Sequence, residues 1–164
     1  MHILLATDAD WIVDEITAAL GGPDTSFTVC RDGRAVSPVV AKRPPDLVIT
    51  DLQVGSMGGM AISLALRNDE SLATGPRVPI LMLLDRQADV YLAQRSQADA
   101  WLIKPLDALR LKRAALGAID GIGVYEGVPV PPVAPIDTTD DTADDTADGS
   151  ESETSPEEEP APAG

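Results

Sequence analysis

At 164 residues, 44% hydrophobic but only 3% aromatic, the chain has enough material for one ordinary domain with an aliphatic core. Its formal charge of −15 is uneven: residues 1–119 hold 14 acidic and 12 basic side chains, and the other 13 acids follow with no lysine or arginine among them. The absence of a basic stripe speaks against direct nucleic-acid binding, and the longest apolar run, residues 80–84, is far short of the roughly 20 residues of a membrane-spanning helix.

One cysteine, Cys30, excludes an internal disulfide, and one histidine, His2, excludes a histidine-rich metal site and makes a Ser-His-Asp triad hard to build. Cys30 lies in a strand-like run and reads as a small buried hydrophobe. MHILLATD carries neither a basic segment nor a long apolar one, so no secretory signal is expected and the location predicted is cytoplasmic.

Strand-like and helix-like segments alternate along the chain. HILLAT is the first strand, and Ile12, Ile16, Ala19 and Leu20 fall at helical spacing before Gly21-Gly22. SFTVC is the second strand. GRAVSPVVAKRPP has a weaker helical pattern, interrupted by Pro38 and ended by Pro44-Pro45. DLVIT is the third strand and GMAISLALRNDES a helix. RVPILMLL, QADVYLAQRSQ, AWLI and LDALRLKRAALGAIDG then give strand, polar helix, strand and last helix, stopped at Gly121 and Gly123. Five short apolar strands separated by helices predict a doubly wound parallel sheet, in which chemistry gathers at the carboxyl ends of the strands. Beyond Val124, VPVPPVAPI favours extended polyproline-like backbone. The three acid-Thr-x-acid units of DTTDDTADDTAD and the rest of the tail lack the apolar residues to offset ordering, which predicts disorder.

Three polar landmarks fall at strand ends: Thr7-Asp8, Asp51 and Lys104. Two carboxylates and backbone carbonyls suit Mg²⁺. With a lysine opposite, such a set neutralises a phosphoryl group moving onto Asp51 to form an aspartyl phosphate.

ILLATDADWIVDEITAAL, PDLVITDLQVGSMGGMAI, VPILMLL and ADAWLIKPLD, in this order and spacing, resemble the receiver domains of bacterial response regulators. The resemblance covers about residues 1–120 and implies their flavodoxin-like (CheY-like) five-stranded fold, with residues 121–164 as a Pro-rich, acidic, disordered tail. It implies that Asp51 accepts phosphate from a histidine kinase or phosphotransfer protein. It further implies that Asp8, Asp51 and the backbone carbonyl of Gln53 hold Mg²⁺, and that Lys104 contacts the phosphoryl oxygens. The resemblance also puts Gly59 on a usual glycine, implies a cis peptide before Pro105, and places Trp101 at the position of the aromatic that changes rotamer on activation.

The chain departs from that pattern at three places. Thr7 replaces a second acid, which lowers the expected Mg²⁺ affinity, and Asp10 is offered as a partial substitute. Leu84 stands where a threonine or serine normally bonds a phosphoryl oxygen, so coupling to Trp101 is expected to be missing. Asp85, if it points into the cleft, would repel a phosphodonor. The leading expectation is a stand-alone receiver, not an enzyme in its own right, that signals through protein contacts on its last-helix face. There the basic Arg110, Lys112 and Arg113 await an acidic partner or the protein's own tail. The alternative is a phosphorylation-independent pseudo-receiver. Gln53 argues against a haloacid-dehalogenase-like phosphatase, which needs aspartate there, and against a cobalamin-binding domain, which needs histidine.

Overall fold

The computed structural model describes residues 1–128. Its order is β1 (His2–Ala6), α1 (Asp10–Leu20), β2 (Ser26–Cys30), α2 (Val36–Lys42), β3 (Leu47–Asp51), α3 (Gly59–Ser71), β4 (Ile80–Leu84), α4 (Val90–Arg95), β5 (Ala100–Ile103) and α5 (Ala108–Ile119). The strands form one parallel sheet in the order β2-β1-β3-β4-β5.

The inner strands read as unbroken apolar runs because helices cover both faces of the sheet. Every residue of β3 and β4 is buried. One face packs Leu4, Val48, Met82 and Leu84 with Val36 and Val40 of α2 and Ile62 and Leu66 of α3. The other packs Leu5, Ile49 and Leu83 with Ile12 and Ile16 of α1 and Leu111 and Ala115 of α5. Cys30 is buried in the first of these layers. Burial raises the pKa of its thiol.

Pro38, expected to interrupt its helix, sits in the first turn of α2 after a 3-10 turn over Gly33–Ala35. A first-turn residue has no intrahelical acceptor for its N–H, so proline costs nothing there. Asp107 caps α5, accepting from Leu109 N at 3.0 Å and Arg110 N at 2.9 Å.

The boundary expected at residue 120 lies further on. Of residues 121–128, read from sequence as the start of the tail, residues 121–122 bond back to the end of α5 and residues 124–126 lie along β5, where Trp101 pairs with Tyr125. The reason is local: Val124 packs into the α1–α5 layer, and the Glu126 carboxylate has a cationic partner in Arg110. Residues 129–164, including the acidic repeats expected to be disordered, lie outside the described residues.

Candidate functional site

Asp51 ends β3 with its side chain buried, the residue being only 4% exposed. The strand order places it between the ends of β1 and β4, with β5 one strand beyond. Thr7, after β1, donates from Oγ1 to Asp51 Oδ2 at 3.4 Å and accepts from Ala9 N at 3.2 Å. Lys104, after β5, donates from Nζ to Asp51 Oδ1 at 2.7 Å. At Gly59 a Cβ would stand 2.2 Å from the Asp51 carbonyl oxygen, so only glycine lets α3 start this close to the end of β3. The Lys104–Pro105 peptide is cis.

Asp85 turns into the same cleft. Its Oδ1 accepts from Lys104 Nζ at 2.8 Å and its Oδ2 from Gln53 Nε2 at 3.0 Å. Lys104 is thus clasped between two carboxylates. Burial pushes its ammonium pKa down, but hydrogen bonds and charge attraction from Asp51 and Asp85 outweigh this and hold it above the ordinary lysine value.

Asp8 is exposed, and its Oδ2 faces Gly55 in the loop after β3. Asp10, expected as a partial substitute for the missing acid, is paired with Arg31, whose Nη2 donates to its Oδ1 at 2.5 Å. Among the described residues, no three His, Cys, Asp or Glu side chains gather as a metal-binding group. The donors that do converge are the Asp51 carboxylate and the Thr7 hydroxyl, with Gln53 N 3.5 Å from Asp51 Oδ1, while Asp8 follows Thr7 in the chain with its side chain exposed. Mg²⁺ commonly takes one or two carboxylates and completes its shell with water, so this set fits the ion with one charge fewer than a site with two flanking acids.

Leu84 is fully buried beside Met82 and in the same apolar cluster as Trp101, and toward the lysine segment it presents only its carbonyl, which accepts from Lys104 N at 2.8 Å. Trp101 is itself buried, at 6% exposure, with its indole N–H donating to the Glu126 carbonyl at 2.9 Å. The structure therefore brings Asp51, Lys104, Gln53 and Asp85 together and leaves Leu84 and Trp101 in the core layer behind them.

Two neighbours of the site were not singled out from the sequence. Arg31 donates from Nη1 to the Asp8 carbonyl at 3.2 Å as well as holding Asp10. The Trp11 ring, half exposed, lies under Lys104 Nζ at 5.6 Å from its centroid. Arg31 directly follows the second strand, a position that the carboxyl-end rule could have flagged.

A doubly wound sheet in this strand order, with a buried aspartate and one lysine paired at its carboxyl edge, defines the receiver class. Residues 3–116 match the response regulator receiver domain family, and the chain belongs to it. It is thus a receiver domain of two-component signalling, and receivers of this family interact with histidine kinases.

The chain is 32% identical over 106 residues to the DNA-binding response regulator MtrA of Mycobacterium tuberculosis (strain H37Rv), covering 63% of this chain and 44% of that protein. It thus spans under half of MtrA. To the uncharacterized response regulatory protein Rv3143 of the same organism it is 30% identical over 125 residues, covering 73% of this chain and 91% of the relative.

Its fold is similar to that of the PA1611 receiver domain of Pseudomonas aeruginosa, solved with a magnesium ion in the active site cleft. The TM-score is 0.61 at 22% identity, over 73% of this chain and 97% of that one. It is likewise similar to chemotaxis response regulator CheY4 of Vibrio cholerae, with a TM-score of 0.61 at 22% identity over 71% and 97%. Among the described residues no helix is long and apolar enough to cross a membrane.

Proposed function

We propose that this receiver accepts a phosphoryl group on Asp51 from a histidine kinase or phosphotransfer protein and passes its signal on through protein contacts, without direct DNA binding. The observation that carries the reading is the 2.7 Å ion pair between the buried Asp51 carboxylate and Lys104. An Asp51 carboxylate oxygen attacks phosphorus, an acyl–phosphate O–P bond forms, and the P–N bond of the donor phosphohistidine breaks with its electron pair leaving on the imidazole. Lys104 lies where its ammonium meets the charge on the phosphoryl oxygens.

Asp8, Asp51 and the Gln53 carbonyl would hold Mg²⁺, with the Thr7 hydroxyl positioned for a metal-bound water. A bound divalent ion would neutralise phosphoryl charge during transfer. Every other contribution is the chain's own: Thr7 and Lys104 fix the acceptor carboxylate, and Asp85 must yield its hold on Lys104 before a phosphoryl group can take it.

That last point favours a second reading, in which Asp85 permanently satisfies Lys104 and the domain works without phosphate. Incubation with a small phosphodonor and Mg²⁺, followed by intact-mass measurement, separates the two. A single phosphoryl adduct that Asp51→Asn abolishes is expected. An unmodified protein at donor concentrations that load ordinary receivers gives the second reading.

A further inference from the structure

Past α5 the chain reverses. Gly121, at φ +73°, takes the left-handed conformation, with Ile122 N donating to the Gly117 carbonyl at 2.7 Å and Gly121 N to the Ala118 carbonyl at 3.3 Å. The segment that follows runs parallel to β5 along its outer edge. Trp101 N donates to the Val124 carbonyl at 2.9 Å, and Glu126 N to the Trp101 carbonyl at 3.4 Å. The Tyr125 ring stacks on Trp101 with centroids 4.6 Å apart and planes tilted by 48°. Gln87 Nε2 donates to the Gly127 carbonyl at 2.7 Å.

Glu126 closes the arrangement. Arg110 Nε donates to its Oε1 at 2.8 Å, Arg110 Nη2 and Ile103 N (2.9 Å) reach its Oε2, and the Trp101 indole holds its carbonyl. Burial pushes the Glu126 carboxyl pKa up, but the Arg110 hydrogen bond and the Ile103 N–H prevail and lower it. Beneath the segment lie an aromatic face, a two-pronged cation and an unpaired strand edge. That is a full set of recognition elements for an extended peptide.

We propose that residues 122–128 are an intramolecular plug in a peptide site on the β5–α5 face, and that this site takes an extended segment of a partner protein carrying an aromatic residue followed by glutamate. The plug holds Trp101 inward by contacts that do not involve Asp51, so the site opens by displacement of the plug rather than by a signal through Leu84. The inference stands whether or not Asp51 is phosphorylated.

The test uses the full chain and a fluorescent synthetic peptide of sequence GIGVYEGVP, corresponding to residues 121–129, with binding read by anisotropy. A closed plug lowers apparent affinity by the fraction of open sites. The double variant Tyr125→Ala/Glu126→Ala is therefore expected to bind the peptide at least about tenfold more tightly than the parent. Adding Arg110→Ala to that variant should abolish binding, while unchanged far-ultraviolet circular dichroism shows each variant folded. In a Trp11→Phe background, acrylamide quenching of Trp101 should rise in the plug variant, since the ring loses its Tyr125 cover. Equal binding by parent and variant, binding by neither, or binding indifferent to Arg110→Ala overturns the proposal.

Discussion

Asp85 Oδ1 lies 2.8 Å from Lys104 Nζ, so the one lysine of the cleft reaches a second carboxylate at nearly the distance it keeps from Asp51. The pair holds a negative charge where an incoming phosphoryl group needs a positive one. Asp85 is partly open to solvent, which screens the repulsion, and the net effect is on the order of 1–2 kcal/mol. Asp85→Ala is accordingly expected to speed phosphorylation of Asp51 by about tenfold, measured as initial rate of adduct formation. A rate unchanged or lowered would mean that Asp85 does not guard the lysine.

The raised pKa of Lys104 gives a stability signature at alkaline pH. A lysine whose folded pKa exceeds its unfolded one, about 10.4, contributes stability fully below that value and loses it as pH climbs through the folded pKa. The urea-midpoint advantage of the parent over Lys104→Met should be level from about pH 7 to about pH 10 and shrink above. Parallel curves for the two proteins above that range would assign the alkaline loss to other groups.

Leu84→Thr installs a hydroxyl at the end of β4, but it does so inside a fully buried apolar layer. Lost apolar volume and an imperfectly bonded hydroxyl should together cost about 2–3 kcal/mol in urea unfolding. A cost below about 1 kcal/mol would show that the new hydroxyl reaches a partner at the cleft.

Arg67 is a structural counterpart at the opposite end of the sheet. It is 7% exposed and donates to the carbonyls of Gln97 at 3.0 Å and Val78 at 3.0 Å and to Asp99 Oδ2 at 2.5 Å. Arg67→Met keeps the volume while orphaning two carbonyls. A loss of about 2–4 kcal/mol by chemical denaturation is expected, with Asp51 phosphorylation unchanged. Loss of phosphorylation in a folded variant would tie this end of the sheet to the cleft.

The strands and α3 were legible because burial on both faces writes itself as continuous apolar runs, such as ILMLL, and because a helix like Gly59–Ser71 carries its own periodicity. The convergence of Asp51 and Lys104 followed from the rule that parallel sheets gather chemistry at one edge. What sequence could not supply was pairing between distant side chains. Arg31 and Asp10 are ordinary charges until the backbone brings them together, and although Arg110 was expected to meet an acidic partner or the tail, nothing in the sequence singles out Glu126 among the tail's acids. The segment around Tyr125 was hidden for a further reason. It directly precedes a proline-rich, acidic stretch whose composition dominates any window that includes it.

A parallel sheet has two rims, and each rim is a row of amide groups that any passing extended chain could zip onto. Here residues 124–126 occupy the β5 rim, so the chain shields one of its own sticky borders. Among the described residues the β2 rim has no such cover. Unwanted strand-to-strand association in concentrated solution should therefore begin at Ser26–Cys30, and a lysine introduced there would do more for solubility than any change near β5.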